Sequence, residues 1–595
     1  KKTGIIKPGE CERLIINIPK SYIASYDDSG VAGYKSCYIL EEGLYKIYIG
    51  SDVRNAEESG KYDEKFTIVE SLEEACAPIV NFKRIKPILD ENNKFNIENE
   101  EVPMRRINPK ERMFKNRDEE IIYTGDRGYK LADVFENKVK LDDFVAQLSY
   151  NDLICMFRGE GMCSPKVTPG TAAAFGGITE SLRNFGIPVA CCADGPSGIR
   201  MDCGTNAFSL PNGTALGCTF NVDLVKKLYK MTGIELCRNK IDSLLGPGMN
   251  IHRNPLNGRN FEYVSEDPIL TGKIGAAQVI GIQEAGSTAT IKHVCANNQE
   301  ASRRFVDSIV SERALREIYL KGFEIAVKEG KARSVMTTYN PVNGIWTAGS
   351  YDLCTTILRK EWGFDGIVMT DWWAEANTEG EKSTRENKAP MVLAQNDLYM
   401  CVSNSLENPE NDNVKERFEA GEVTRSDLQR NAKNILKFIM KSQAMLHELN
   451  LISKEDLEEI NGQDDDGNIS LEDIVYYYAD KDSNDIIIDA SNFNNKKGDS
   501  EVFGISLNEL GLYNIEITMK SEQGSLSQLP LSIYYDNALK STITIRGTEG
   551  EWLTESRELG FIFGVNHYIK LYFGASGLDI DKVVIKFMGK GKLPF

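Results

Sequence analysis

The run GIVMTDWW, Gly366 to Trp373, is an apolar stretch that ends in an aspartate followed by two tryptophans. An aspartate at a strand end can attack the anomeric carbon of a sugar. Indole rings beside it can stack on the sugar's apolar face. Upstream, IPVACCAD ends at Asp194, ATIKHV carries Lys292 and His293, and RSVMTTYN ends at Tyr339 and Asn340. Arg259 in NPLNGRNFEYVSEDP and Arg303 in NNQEASRR lie in polar segments between such runs. Retaining cleavage of a glycosidic bond needs two carboxyl groups about 5–5.5 Å apart, one nucleophile and one acid/base. It also needs partners for each sugar hydroxyl, because distortion toward the transition state is driven by binding. Asp194 can accept from hydroxyls, while Arg259, Lys292, His293 and Arg303 can donate or orient. The phenol of Tyr339 can touch the nucleophile or the ring oxygen. This is the chemistry of a carbohydrate-active enzyme. Trp372 and Trp373 fit a sugar platform and barrel packing equally well, and adjacent Arg303 and Arg304 are separated only by motif spacing, which favours Arg303.

Such residues must be gathered by a scaffold, and the periodicity supplies one. From about 140 to 445, strand-like runs alternate with helical ones, the pattern of a (β/α)8-type barrel whose functional side chains sit at the C-terminal strand ends. One helix is explicit: Ser311 as N-cap, Glu312 in the first turn, an apolar face of Leu315, Ile318, Tyr319, Ile325 and Ala326, and Gly330 as the stop. Residues 1–86 are β-rich, with ERLIINI, YKSCYIL, LYKIYIG and KFTIVE bounded by turn signals. That is about half the strands of a sandwich, so the other half is expected in a preceding segment or a separate polypeptide. Residues 87–139 are charged and aperiodic and are expected to form an extended linker. Residues 446–482 suggest a helical connector. Residues 483–595 hold strand candidates such as DIIIDA, YNIEITM, LPLSIYY, STITIRG, YIKLYF and KVVIKF, spaced for a jelly-roll-like β-sandwich.

At 595 residues the chain exceeds a single core and calls for several domains. A net charge of −18 argues against nucleic acid and anionic membrane partners and suits a neutral ligand. No apolar run approaches the roughly 18 residues that span a bilayer. The 13 cysteines all precede residue 402 and show no disulfide-framework spacing, CxxC pair or HExxH motif. Reduced thiols, a cytoplasmic location and no metal are expected.

The ordered segments CADGPSGIR, GPGMNIHRNPLNGRNFEYVSEDP, KHVCANNQE, SERALREIYLKGFE, TTYNPVNG and EWGFDGIVMTDWW resemble glycoside hydrolase family 3, the β-glucosidase family. The segments KPGE, YDD and LEEGLYKIYIG near the N-terminus resemble the second half of that family's fibronectin type III-like domain. Its place ahead of the barrel implies the reversed domain order of some members, with an α/β sandwich domain before it. The resemblance implies Asp371 as nucleophile. It implies Asp194, Arg259, Lys292, His293, Arg303 and Tyr339 as the subsite that grips the non-reducing sugar, and Trp372 beside the nucleophile is a further candidate substrate contact. No cofactor is implied.

One departure concerns the acid/base. In most members it is a glutamate of the α/β sandwich domain, and in the hexosaminidase branch an Asp-His pair after a KHFPGHG-type motif. KHVCANNQEASRRF offers no such pair, so the acid/base is expected from outside this chain. The implied activity is an exo-acting, retaining β-glucosidase acting on β-glucosides or short β-linked oligosaccharides, with β-xylosidase specificity as a variant. A homo-oligomer is compatible with it. The rival reading is a carbohydrate-binding or structural fragment without turnover; a phosphate-handling barrel enzyme is disfavoured because no glycine-rich phosphate loop is visible. Gly462–Asp473 resembles an EF-hand calcium loop, but glycine occupies the first ligand position and Asp473 the twelfth, which favours a solvated acidic turn. Trp552, Tyr534 and Tyr535 are candidate sugar contacts of the C-terminal sandwich, which could equally be a spacer.

Overall fold

The computed structural model describes residues 2–591 apart from 93, 204, 206, 454, 455, 457–473 and 537. The EF-hand-like stretch at 462–473 lies outside the described residues.

The N-terminal region holds β1 (Ser25–Asp27), β2 (Cys37–Leu40), β3 (Gly43–Ile49), β4 (Glu57–Glu64), β5 (Thr67–Ser71), β6 (Lys83–Leu89) and β7 (Phe95–Glu101). β1, β2 and β5 form one antiparallel sheet, while β3–β4 and β6–β7 are separate hairpins. The run ERLIINI is not a strand. It has no neighbouring strand among the described residues, and Ile15, Ile16 and Ile18 are exposed. The expected linker at 87–139 also needs correction at its start, since it contains most of the β6–β7 hairpin. Asp90 explains the turn: its carboxylate accepts from the Asn92 and Lys94 amides at 2.8 Å each, an Asx-type closure that charge content alone conceals. Further on, this region is tied to the barrel by buried polar contacts. Arg112 reaches Asp352 at 2.7 Å, and Tyr26 donates to Glu312 at 2.7 Å.

The barrel strands are β8 (Arg158–Gly161), β9 (Ala173–Gly176), β10 (Val189–Asp194), β11 (Ser243–Leu245), β12 (Thr288–Val294) and β13 (Ser334–Thr337). After a small hairpin of β14 (Pro341–Val342) and β15 (Ile345–Trp346), β16 (Ile367–Met369) and β17 (Tyr399–Val402) complete the set. Their order is β16-β13-β12-β11-β10-β9-β8-β17, an eight-stranded sheet that curls back on itself. A parallel bridge between Met369 and Leu398 brings the two ends together. One strand departs from the expected all-parallel pattern: β9 runs antiparallel to both β8 and β10. The chain passes from β8 to β9 through a loop and not a crossover helix, and only an antiparallel neighbour can be reached that way.

Outside the sheet, helices Val222–Arg238 and Pro268–Glu284 pack together. Each starts on a side-chain cap: Asn221 accepts from Leu224 N, and Asp267 from Ile269 N and Leu270 N, with proline at the first helical position. The helix expected from Ser311 is present, and Ser311 accepts from Ala314 N. Its middle, Leu315–Tyr319, is π-helical, which widens the turn and shifts the register. Ile318 is therefore left partly exposed, while Leu315, Ile325 and Ala326 are buried.

The C-terminal strands are β18 (Tyr476–Tyr478), β19 (Ile486–Asp489), β20 (Ser500–Ser506), β21 (Gly511–Lys520), β22 (Leu529–Tyr535), β23 (Ala538–Ile545), β24 (Leu553–Ile562), β25 (Asn566–Phe573) and β26 (Asp579–Gly589). They form two facing sheets, β18-β20-β25-β22-β23 and β19-β26-β21-β24. Strict alternation along β21 buries Tyr513, Ile515, Ile517 and Met519 in the core between them.

Candidate active site

The C-terminal ends of the barrel strands converge on a pocket of about 340 Å³. Asp194 ends β10, Lys292 and His293 lie near the end of β12, Tyr339 follows β13, and Asp371 and Trp372 follow β16. Arg259 and Arg303 enter from the loops after β11 and β12. All eight residues singled out from the sequence line this one cavity.

Local backbone geometry explains how Asp194 presents its carboxylate. Gly195 follows at φ +121°, and a Cβ there would lie 1.7 Å from the Gly198 carbonyl oxygen. Only glycine permits that turn directly beyond the strand. The carboxylate then accepts from Lys292 Nζ at 2.8 Å, with Arg200 at 4.0 Å. Burial pushes the Asp194 carboxyl up, but Lys292 and its hydrogen bond outweigh it and hold the net value below the usual carboxylate range. Asp194 is therefore ionised at neutral pH, with acceptor capacity to spare.

Asp371 is in a different state. Its Oδ1 accepts from Trp372 N at 2.8 Å, and the Tyr339 hydroxyl also donates to it. His293 Nε2 stands 3.6 Å from its Oδ2. Burial raises the Asp371 carboxyl above its ordinary value, and Arg259, the Trp372 amide, Lys292 and Tyr339 only partly offset this. The result is a desolvated carboxylate held by few donors, which leaves lone pairs free to attack. His293 is pushed well below its ordinary value by burial and then by Arg259, Lys292 and Arg303. It is neutral and acts by hydrogen bonding, with Nδ1 3.3 Å from the Tyr263 hydroxyl. Arg259 is held by Glu262.

The structure separates the paired alternatives left open by sequence. Arg303 lines the pocket, bonded to Glu300 at 2.8 Å and with its guanidinium 4.9 Å from the Tyr339 ring. Arg304 covers the same ring at 4.5 Å and donates to the Trp373 carbonyl at 3.0 Å, so it braces the wall. Trp372 faces the cavity. Trp373 does not line it; Trp373 is buried at φ +52° with Arg546 of the C-terminal sandwich 4.9 Å from its ring. In the sandwich, the Tyr534 hydroxyl is spent on the Cys203 carbonyl at 2.5 Å and that of Tyr535 on His567, while Trp552 is exposed under Lys520.

Sequence reasoning missed Met162, Arg200, Asp202 and Gln528, all of which line the cavity. Arg200 closes the CADGPSGIR motif and donates to Asp202 at 2.8 Å, so its position was available as a signal. Burial raises the Asp202 carboxyl despite Arg200. Nothing in the sequence around Gln528 points to the barrel. The lining carboxyls are Asp194, Asp202 and Asp371, and the first two are engaged by Lys292 and Arg200. Among the described residues no cluster of His, Cys, Asp and Glu is arranged to hold a metal.

Residues 167–438, which carry most of this pocket, match the model of the glycosyl hydrolase family 3 N-terminal domain. Residues 167–438 are a glycosyl hydrolase family 3 N-terminal domain. It is 47% identical over 587 residues to a β-glucosidase of Ruminococcus albus, covering 98% of this chain and 61% of that protein. It is 37% identical over 425 residues to β-glucosidase A of Butyrivibrio fibrisolvens, covering 67% of this chain and 48% of that one. The crystal structure of a β-glucosidase from Paenibacillus barengoltzii superposes with a TM-score of 0.75 at 44% identity, over 98% of this chain and 63% of the other. The chain thus spans under two thirds of the length of these relatives.

Proposed function

We propose that the chain carries the glycon-binding pocket and the nucleophile of an exo-acting, retaining β-glucosidase. The observation that carries this reading is Asp371: a buried carboxylate at a barrel strand end, 3.6 Å from neutral His293 in a pocket lined by polar side chains able to bind hydroxyls. A carboxylate oxygen of Asp371 bonds to the anomeric carbon as the bond to the leaving oxygen breaks. Water then attacks the same carbon, and the Asp371 oxygen leaves. Asp194, Lys292, Arg259, His293 and Arg303 hold the sugar hydroxyls, and Trp372 packs against its apolar face. Tyr339 donates to Asp371 and keeps the attacking oxygen aimed. The names of the relatives support glucose as the sugar; β-xyloside is the alternative.

The proton for the leaving oxygen is assigned to an acid/base outside this chain, carried on a preceding segment or a second polypeptide. The engagement of Asp194 by Lys292 and of Asp202 by Arg200 supports this. Of the 13 cysteines ten are buried, and all are free thiols, which supports a cytoplasmic setting. No helix among the described residues is long and apolar enough to cross a membrane.

The test uses a 2-deoxy-2-fluoro-β-glucoside with dinitrophenolate as leaving group, whose departure needs no proton. A stable glycosyl adduct mapped to Asp371 is expected. Labelling of another carboxylate would overturn the assignment of Asp371, and binding of glucosides without any adduct would replace this reading by a binding-only one. The missing acid makes a further expectation. With this chain alone, turnover should favour dinitrophenyl over alkyl glucosides by about 10²–10⁴ more than in the longer protein.

A further inference from the structure

The catalytic pocket is lined by one residue from outside the barrel region. Gln528 stands immediately before β22 of the C-terminal sandwich, half-buried, and its side-chain amide has no hydrogen-bond partner among the described residues. Its place is fixed by docking contacts on either side. Tyr534, on the same strand, donates to the Cys203 carbonyl at 2.5 Å in the loop that follows Asp202. Gly574 donates to the Pro530 carbonyl at 2.9 Å, and a Cβ on Gly574 would come within 2.9 Å of the Asp202 carbonyl oxygen. Across the mouth, Arg546 bonds to Glu410 at 3.2 Å and covers the Trp373 ring. The edge of the sandwich therefore abuts the barrel at two separated points, and Gln528 faces the cavity beside them.

We propose that Gln528 is a sugar-reading residue, by which the C-terminal sandwich completes the pocket and contacts a glycoside hydroxyl far from the anomeric carbon. The direction follows from its neighbours. The sandwich edge meets the backbone of Asp202, Asp202 is bonded to Arg200, and Arg200 faces Asp194 at 4.0 Å. In the glycosidase reading Asp194 holds sugar hydroxyls while Asp371 attacks the anomeric carbon, so Gln528, on the Asp194 side, reads a hydroxyl away from that carbon. A primary amide suits this task because it both donates and accepts, matching a hydroxyl whose partner on the other side is an anion or a guanidinium. The role also gives the sandwich a function other than a separate carbohydrate module: it is a wall that closes the outer end of the pocket.

This inference rests on the glycosidase reading, and its test is kept independent of turnover. Binding of methyl 1-thio-β-glucoside, which is not hydrolysed, is measured by calorimetry on the full-length protein. Gln528→Ala and the nearly isosteric Gln528→Met should both weaken binding about 3- to 10-fold, the value of one hydrogen bond. The penalty should vanish for either the 4-deoxy or the 6-deoxy thioglucoside, whichever lacks the partner hydroxyl. Binding within twofold of wild type in either variant would overturn the proposal, since Met preserves shape but not hydrogen bonding. A penalty that persists with both deoxy sugars would overturn it as well, and so would failure of the wild type to bind the thioglucoside. Labelling of Asp371 by the fluoroglucoside in the same variants reads the catalytic assignment separately: intact labelling with unchanged thioglucoside binding condemns only the role of Gln528.

Discussion

As the proposed nucleophile, Asp371 must be ionised to attack, yet burial raises its carboxyl above the ordinary 3.8. Activity toward an activated aryl glucoside should therefore fall on the acid side as pH drops through that raised value. Arg259 is the largest influence pulling it back down, so Arg259→Met should move the acid limb to higher pH as well as weaken binding. His293, held neutral, should add no step near 6.5, and a kcat/KM–pH profile of His293→Asn beside wild type checks this. The same shift has a stability side. A carboxyl raised by folding contributes its stability at low pH and loses it as pH rises through the folded value. Asp371→Asn should accordingly abolish turnover while raising the thermal midpoint at neutral pH, and losing both activity and midpoint would contradict the desolvation account.

At the scale of elements, strand ends carry the site and a few turns make them usable. Gly195→Ala would force a side chain into the Gly198 carbonyl at a backbone angle that disfavours it. It should cost about 2–4 kcal/mol of stability, read by urea unfolding, and should also displace Asp194. The barrel residues were legible because each polar side chain ends an apolar run, so chemistry and strand boundary coincide in sequence at Asp194, Lys292, His293 and Asp371. The reversal of β9 was not legible, since a strand's direction is set by the connection before it and AAFG reads the same either way. ERLIINI had strand composition but forms no strand, and strand propensity reports the capacity to pair, not a pairing. Gln528 was invisible for another reason: no periodicity in one domain records which of its edges will meet another.

Across the whole molecule, some buried polar groups work against stability. Lys388 is fully buried in the barrel, with its ammonium 3.7 Å from the Tyr399 ring centroid and no hydrogen-bond partner among the described residues. Burial lowers it from 10.5 to about 8 despite Asp412 and Glu410. Between those values the unfolded chain holds the proton and the folded one does not, so stability rises with pH across that window. Below about 8 the penalty is constant. Lys388→Met should therefore raise stability at pH 7 by about 1–3 kcal/mol, with the gain shrinking toward pH 10. Thermal midpoints of the two proteins at several pH values decide it, and a gain independent of pH would assign the effect to packing instead.

The backward run of β9 bears on how this pocket can change over evolutionary time. In a parallel barrel, a loop at the mouth leads into an outer helix, so lengthening it disturbs the shell. The loop 162–172 instead returns to its own neighbour, pinned at its base by the Glu160–Ala174 and Gly161–Ala173 pairings. Met162, Gly170 and Ala172 of that loop already line the cavity. Insertions and deletions there can therefore be absorbed without any helix moving, which makes this hairpin the natural place for lineages, or engineers, to graft new entrances onto an unaltered catalytic floor.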